Sequence, residues 1–104
     1  MYNYSAYVIR WVDGDTVKLN VDVGFRIAVT DTFRLYGINT PERGQPNYAE
    51  ARLRCMELCP IGAKIEISTR KQDKYGRWLV DIPLVREALI AEGLAVPFMT
   101  EQQP

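Results

Sequence analysis

Apolar and polar residues alternate along the chain between positions 17 and 29. Every odd position in this stretch is apolar, namely Val17, Leu19, Val21, Val23, Phe25, Ile27 and Val29. A period of two is typical of a β-strand, because successive side chains of a strand point to opposite faces. Gly24 interrupts the stretch, and we expect a chain reversal or a bulge there. The pattern therefore predicts a long β-hairpin.

Further strands are indicated by composition and alternation. Residues 4–12 are rich in aromatic and β-branched side chains and predict a first strand, which ends at a turn over residues 13–14. A further strand is predicted through residues 33–37. Residues 64–70 alternate again, and residues 78–82 complete a set of five predicted strands.

Two other stretches predict helices. Asn47, with Glu50 three residues later, resembles a capping box that has asparagine in place of serine or threonine. The helix that begins there is expected to end near Cys59, because Pro60 prevents its continuation. A second helix is predicted over residues 83–93, which begin with proline and end with glycine.

The order of these elements indicates the fold class. Five strands, with one helix between the third and fourth and one helix after the fifth, predict an α+β protein built on a small closed β-barrel. The five-stranded OB-fold is the natural candidate, and it is a common nucleic-acid-binding scaffold. The sequence contains no internal repeat or linker, so residues 1–104 are interpreted as one domain.

The charge balance and the missing histidine narrow the possible chemistry. Lysine and arginine together number 13, aspartate and glutamate together also number 13, and there is no histidine. Net neutrality argues against a strong non-specific nucleic-acid binder, although an enzyme can combine acidic metal ligands with local arginines. Serine–histidine and cysteine–histidine nucleophiles and histidine-containing zinc sites are excluded. We therefore expect a carboxylate as any general base.

The two cysteines and the termini carry less information. Cys55 and Cys59 are four residues apart and would share one face of a helix, so packing in the core is expected. No apolar run approaches the roughly 20 residues of a membrane span, and the N-terminus has neither the basic nor the apolar region of a signal peptide. A cytoplasmic protein without membrane contact is therefore expected, and the alternative is a protein from which a leader has been removed.

Three short segments carry candidate chemistry. They are Asp-Gly-Asp-Thr at residues 13–16, Arg-Leu-Tyr-Gly-Ile-Asn-Thr-Pro-Glu at residues 34–42 and Asp-Lys-Tyr-Gly-Arg at residues 73–77. Each segment alone is an ordinary polar turn or loop. In this order, and on this pattern of strands, they resemble the staphylococcal nuclease family. The resemblance extends from around Val8 to Ala95 and includes the second helix with its Gly-Leu-Ala exit.

The resemblance implies an OB-like barrel and calcium-dependent cleavage of DNA and RNA. Asp15 matches a metal-binding aspartate, and Thr40 matches a residue whose backbone carbonyl binds the metal. Asn39 stands where the family usually has a second metal-binding aspartate. Asparagine keeps an oxygen ligand but loses a negative charge, and calcium affinity depends on the charge of the ligands. The expected cofactor is therefore Ca²⁺, bound weakly, and the expected enzyme is slow.

The resemblance also implies which residues handle the phosphate. Arg34 and Arg77 match the two arginines that hold it, and Glu42 matches the proposed general base. Lys74 and Tyr75 match positions near the terminal phosphate of the nucleotide. These residue types suit phosphodiester hydrolysis, since arginine binds phosphate oxygens bidentately and a carboxylate can orient or deprotonate water.

The leading interpretation is a metal-dependent endonuclease whose partners are DNA and RNA, acting as a monomer. The alternative is a related barrel that binds nucleic acid without cleaving it, which Asn39 and the neutral net charge favour. The set of Arg34, Glu42 and Arg77 opposes this alternative, because a binding module has no need of it. A structural or interaction domain is a third interpretation, supported only by the fold.

The longer spacing from Asp15 to Arg34 than in the family prototype is interpreted as an extension of the hairpin.

Overall fold

The computed structural model describes residues 2–70, 74 and 76–98. In chain order the elements are β1 (Tyr2–Asp13), β2 (Thr16–Gly24), β3 (Ile27–Leu35), β4 (Ile38–Asn39), α1 (Tyr48–Leu58), β5 (Lys64–Arg70), β6 (Leu79–Asp81), α2 (Pro83–Ala91) and β7 (Val96–Pro97). A closed barrel forms in the order β1-β2-β3-β6-β5, and β4 pairs with β7. The predicted five-stranded barrel is confirmed, with α1 between its third and fourth strands and α2 after its fifth.

One parallel contact closes the barrel. The other neighbouring strands of the barrel run antiparallel to one another. β3 and β6 run parallel and meet with Arg34 opposite Leu79 and Leu35 opposite Val80. The backbone N–H of Arg34 also donates to Trp78 O at 3.0 Å. The end of β3 is thereby held beside the segment that leads into β6.

The core fills the barrel and the space beneath both helices. On β2, Val17, Leu19 and Val21 are buried, whereas the side chains between them are more exposed, as the alternation predicts. Each helix adds buried side chains on one face. Burying one such aliphatic side chain stabilises the fold by about 1.5–3 kcal/mol, so this interior is the main source of stability. None of the described helices is long and apolar enough to cross a membrane.

The two cysteines pack in this core, as predicted. Cys55 and Cys59 are buried free thiols. Burial raises the pKa of Cys55 to about 12 and also raises the pKa of Cys59. The Cys55 thiol donates to Gly14 O at 3.3 Å, and Trp11 Nε1 donates to Cys59 O at 3.0 Å. These bonds tie α1 to β1 and to the turn that follows it.

Two local predictions are wrong. The strand predicted through residues 33–37 ends at Leu35, because Gly37 turns the chain with a φ of 85°. The predicted capping box does not form. Asn47 has a φ of 68° and makes no side-chain capping bond, so α1 begins at Tyr48 without one. A residue whose side chain caps a helix normally has an extended backbone, which the left-handed conformation of Asn47 does not provide.

A small second sheet was not predicted. In it, Ile38 lies opposite Pro97 and Asn39 lies opposite Val96. Phe98 N donates to Gly37 O at 2.9 Å, so the chain after α2 returns to the turn that follows β3. Strands of two residues are too short to show a period, which is why no pattern marked them.

Candidate functional site

A pocket of about 390 Å³ lies between the β1–β2 turn, the end of β3 and the loop that follows β4. It is lined by Asp13, Asp15, Thr16, Arg34, Asn39, Thr40, Pro41, Glu42, Arg43 and Arg77. Six candidates from the sequence, carried by three separate segments, are therefore brought together in one cavity. Lys74 is exposed and is not among the lining residues. Tyr75 lies outside the described residues.

Asp15 is fixed where the turn enters β2. Its Oδ2 accepts a hydrogen bond from Thr40 N at 3.2 Å, and its Oδ1 accepts one from Thr16 Oγ1 at 3.3 Å. Its carbonyl oxygen accepts from Leu35 N at 2.8 Å. The carboxylate is thus positioned by the strand that follows it, by β3 and by the loop after β4.

Gly14 allows the surrounding elements to approach this turn closely. A Cβ at position 14 would lie 3.0 Å from the Cβ of Ala51 on α1 and 3.0 Å from Thr40 Oγ1. Both separations are shorter than ordinary van der Waals contact. The glycine of the Asp-Gly-Asp-Thr segment therefore has a packing role as well as a role in the turn.

The guanidinium of Arg34 is buried and held from several sides. Nη1 donates to Leu35 O at 2.9 Å, and Nη2 donates to Asn39 Oδ1 at 2.8 Å. Nη2 also forms an ion pair with Asp15 Oδ2 at 3.5 Å. The guanidinium carbon is 5.9 Å from the ring centroid of Phe98, within the range of a cation–π contact. The group is therefore ordered before any ligand arrives.

Asn39 and Thr40 present oxygen atoms beside Asp15. The side-chain oxygen of Asn39 is the acceptor for Arg34, and the Asn39 backbone is fixed by pairing with β7. Thr40 is buried, and its Oγ1 has no hydrogen-bond partner among the described residues. An unpartnered buried hydroxyl is costly, so this oxygen is a natural point of contact for a bound ion or water.

Glu42 and Arg77 reach the pocket from two different loops. Glu42 is exposed, and Gln45 closes the turn that carries it. Glu42 N donates to Gln45 Oε1 at 2.7 Å, and Gln45 N donates to Glu42 O at 2.9 Å. Arg77 is partly buried in the segment before β6. The parallel contact between β3 and β6 is what places this segment beside Arg34.

Two charged lining residues, Asp13 and Arg43, were missed from the sequence, as were the uncharged Thr16 and Pro41. Tyr48, in the first turn of α1, donates its hydroxyl to Asp13 Oδ1 at 2.5 Å. The guanidinium carbon of Arg43 lies 5.9 Å from the centroid of the same Tyr48 ring. The sequence offered a weak signal, since Asp13 opens the Asp-Gly-Asp-Thr segment and Arg43 directly follows Glu42. Tyr48 thus connects an acid and a base on the rim of the pocket.

The formal charges that line the pocket cancel. Its acids are Asp13, Asp15 and Glu42, and its bases are Arg34, Arg43 and Arg77. An anionic ligand would meet cationic groups whose charge is already offset by nearby carboxylates. Binding of a cation, or the gain or loss of a carboxylate charge, would therefore change the net charge of the whole cavity.

The oxygen donors beside Asp15 fit a hard divalent cation. A carboxylate, the amide oxygen of Asn39 and the oxygens of Thr40 are ligand types that calcium prefers, and the unpartnered Thr40 Oγ1 is an available buried oxygen. Asp15 is the one charged group in this trio. Within the described part of the chain, no group of three or more histidine, cysteine, aspartate or glutamate side chains is placed to hold a metal ion.

Comparison with known families adds an independent finding. A family model described as staphylococcal nuclease homologue matches residues 32–104, which is more than half of the chain. The match includes the segment from Arg34 to Glu42 and the segment that contains Arg77, and it begins after Asp15 and most of the hairpin. The closed barrel with two helices agrees with this assignment.

Proposed function

This chain belongs to the staphylococcal nuclease homologue family, and on that premise we propose that it is a metal-dependent nuclease that hydrolyses phosphodiester bonds of DNA or RNA. The observation that carries the proposal is the shared pocket. It combines Arg34 and Arg77 with the carboxylates of Asp15 and Glu42. A module that only holds nucleic acid has no use for a carboxylate directed at the same cavity as two phosphate-binding groups.

The two arginines would hold the phosphate. Hydrolysis adds negative charge to a group that is already anionic, and positioned guanidinium groups stabilise that charge. Arg34 suits this role because its bonds to Leu35 O and Asn39 Oδ1 fix the plane of its fork. Arg77 enters from the segment before β6, so a phosphate between them would be bound from two sides.

Glu42 would act on the attacking water. Its carboxylate is exposed at the pocket, and the bond to Gln45 holds its backbone in place. It would accept a proton as the water oxygen forms a bond to phosphorus and the bond from phosphorus to the leaving oxygen breaks, and the leaving oxygen would take a proton from solvent to become a hydroxyl group. Lys74 and Tyr75 are proposed to contact a terminal phosphate beyond the reacting one.

Asp15, Asn39 and Thr40 would hold the metal ion, for which we propose Ca²⁺. When bound, such a cation supplies positive charge that polarises a phosphoryl oxygen. The chain itself contributes a single carboxylate and neutral oxygens, and it uses Asn39 Oδ1 to bind Arg34 as well. We therefore propose a weak metal site and a slow enzyme.

The second candidate is a barrel that binds nucleic acid without cleaving it. The observation that favours it is the use of Asn39 Oδ1 by Arg34, together with the absence of a carboxylate at that position. The two candidates differ in one respect that can be measured. Both predict binding, whereas only the first predicts a product.

The experiment is cleavage of labelled single-stranded DNA and RNA, with calcium and with a chelator. Circular single-stranded DNA serves as a further substrate, since only internal cleavage can open it. We expect products that require calcium. Arg77→Ala should lose about a hundredfold or more in rate, as does the loss of comparable preorganised donors. Arg34→Lys keeps the charge but loses the fork, and should also be slow.

Arg10→Ala is the matched control, because Arg10 is exposed on β1 and does not line the pocket. Its rate should equal that of the native chain. Circular dichroism must show that all variants are folded. Binding without any product, at every calcium concentration, would establish the second candidate. Equal rates for Arg77→Ala and Arg10→Ala would reject the site.

A further inference from the structure

The outer part of the β2–β3 hairpin extends beyond its neighbours. β2 and β3 pair from Thr16 opposite Arg34 as far as Gly24 opposite Ile27. The pairing of β1 with β2 ends at Asp22, and β6 meets β3 only at its last two residues. Residues 22–31 are exposed throughout. In the described structure, residues 23–31 therefore have no strand beside them other than their partner in the hairpin.

The two residues at the tip of the hairpin are of types that are disfavoured in this kind of turn. Phe25 and Arg26 occupy the two positions of the loop, with φ of 55° and 63°. Such a loop favours Asn-Gly, because both residues must adopt the left-handed conformation. Bulky side chains are disfavoured there. The Phe25 side chain is 97% exposed, so contacts within the chain do not offset this strain.

The hairpin continues the apolar face of the barrel into solvent. Val17, Leu19 and Val21 are buried in the core, whereas the apolar side chains at the next odd positions are exposed to solvent. Their exposed fractions are 37% for Val23, 57% for Ile27 and 44% for Val29. Contiguous apolar side chains on a projecting element indicate a contact surface.

The outer edge of β3 offers unpaired backbone groups. Arg34 N donates away from β2, to Trp78 O. The backbone N–H groups of successive residues in a strand point to opposite sides of the strand. The N–H groups of Ala28, Thr30 and Thr32 therefore point to the same outer side. Thr32 N donates to the Asp31 side chain at 2.8 Å. Ala28 and Thr30 are exposed and have no strand beside them in the described residues. An edge of this kind is a template for another strand.

We propose that this edge binds the same edge of a second copy of the chain. The two β3 strands run antiparallel about a two-fold axis, and the two hairpins form one continuous four-stranded sheet. Ala28 lies at the axis, opposite the partner's Ala28. Ile27 then lies opposite the partner's Val29, which keeps the apolar side chains on one face.

The register is selected by charge and by side-chain type. With Ala28 at the axis, residues 27–29 of the two β3 strands face each other, and Asp31 lies beside the loop at the tip of the partner's hairpin. Moving the axis to Asp31 would place two carboxylates opposite each other, which is destabilising. Moving it to Thr30 would place Val29 opposite the partner's Asp31. The Ala28 register is the one that pairs the two exposed aliphatic residues of β3 with each other.

The charges of the hairpin favour a second copy over nucleic acid. Between residues 22 and 31 its ionisable residues are Asp22, Arg26 and Asp31, so this outer part has one basic group and two acidic groups. A surface that binds the phosphate backbone, or an anionic membrane, carries an excess of basic groups. One net negative charge on each copy gives only a weak repulsion between two hairpins, which salt screens. The expected interface is at the small end of protein–protein contacts, so the dimer should be weak.

The test is sedimentation velocity on the whole chain, from roughly 5 to 500 µM, the range in which small interfaces associate. We expect a reversible dimer. The double variant Phe25→Asn, Arg26→Gly gives the loop its preferred residues, so its melting temperature should rise while its dissociation constant increases by about tenfold or more. A higher melting temperature together with weaker association separates an effect on the dimer from an effect on folding. Leu53→Asn, which removes an exposed apolar side chain on α1, is the matched control and should dimerise normally.

A cysteine at the axis tests the register directly. Opposing residues in a hydrogen-bonded antiparallel pair have Cα atoms about 5.5 Å apart, within the range of a disulfide. Ala28→Cys should therefore form a covalent dimer under mild oxidation, faster than Lys64→Cys on β5. The native thiols are buried and should not interfere. A monomer at all concentrations, association that the tip variant leaves unchanged, or equal cross-linking of the two cysteine variants would overturn the proposal. Loss of nucleic-acid binding in a tip variant of a strictly monomeric chain would assign the hairpin to nucleic acid instead.

Discussion

Replacing Asn39 by aspartate adds one negative charge at a position whose neighbours are known. In the native chain, Asn39 Oδ1 accepts from Arg34 Nη2 at 2.8 Å, and Asp15 Oδ2 lies 3.5 Å from the same nitrogen. Aspartate has the same shape and can accept the same bond. Asn39→Asp therefore changes the charge of the pocket while its packing is kept.

Without metal, the added charge should have little net effect on stability. Two unit charges about 4 Å apart attract by about 4 kcal/mol at an effective dielectric constant near 20, which is the upper range for the new pair with Arg34. The new carboxylate would share a guanidinium nitrogen with Asp15, and repulsion at about 6 Å is about 3 kcal/mol by the same relation. Residue 39 is exposed, so solvent and salt reduce both contributions. We expect the free energy of unfolding to change by less than about 1 kcal/mol.

With calcium, the two carboxylates should act together. A second charged ligand would replace a neutral oxygen beside Asp15, and ligand charge is a main determinant of calcium affinity. We expect the affinity to rise about tenfold to a hundredfold, or about 1.4–2.8 kcal/mol. Cleavage should become faster at low calcium. At saturating calcium the gain should be smaller, because the new carboxylate also offsets the charge of Arg34.

The assay is calorimetric titration of calcium into both proteins, with cleavage rates across calcium concentrations and thermal melts in chelator. Asn3→Asp is the matched control, since Asn3 is exposed on β1 and its Oδ1 likewise accepts a bond, from Ser68 Oγ. It should leave calcium affinity unchanged. If Asn39→Asp bound calcium no better than Asn3→Asp, the charge argument would be refuted. Tighter calcium binding without any cleavage would favour the binding module.

Two further predictions concern the elements that support the pocket. Gly14→Ala should lower the free energy of unfolding by about 1–3 kcal/mol in denaturant melts, because the added methyl group meets α1 and the loop after β4 at 3.0 Å. Unchanged stability would show that α1 and this loop can move away from the turn at little cost in free energy. Burial raises the pKa of Cys55 from 9.0 to about 12, so the folded state keeps a proton that the unfolded state releases above pH 9. The free energy of unfolding should therefore fall as the pH rises from 9 towards 12. Cys55→Ala should reduce the slope of this free energy against pH, measured by urea titration at several pH values. An identical slope in both proteins would contradict the assignment to this thiol.

The barrel could be predicted because alternation reports directly on the pleat of a strand. The odd positions from Val17 to Val21 face the core as expected. The same alternation continues through Val29, yet those side chains are exposed. Alternation identifies which side chains share a face, but whether another element covers that face depends on where β1 and β6 end. That information lies elsewhere in the chain.

The convergence of the candidate site followed from motifs at the ends of neighbouring strands. Asp15 precedes β2, and Arg34 lies at the end of its partner β3, opposite Thr16. The bond from Arg34 to Asn39 could not be predicted, because it depends on the pairing of β4 with β7, two strands that have no period. The left-handed backbone of Asn47 was equally hidden, since asparagine serves both as a cap and as a left-handed residue.

The junction of β3 with β6 has a consequence for exchange and ligand binding. It rests on two residue pairs, and the backbone bonds at its ends run from Arg34 N to Trp78 O at 3.0 Å and from Tyr36 N to Val80 O at 2.8 Å. Such a short parallel contact should open locally at lower free energy than the long antiparallel ladders, and its amides should exchange hydrogen for deuterium sooner. Arg34 lies on one side of this junction, and Arg77 lies two residues before the strand on the other side. An anion bound by both would span the opening, so occupancy would slow exchange at Tyr36, and each opening event would in turn release the anion.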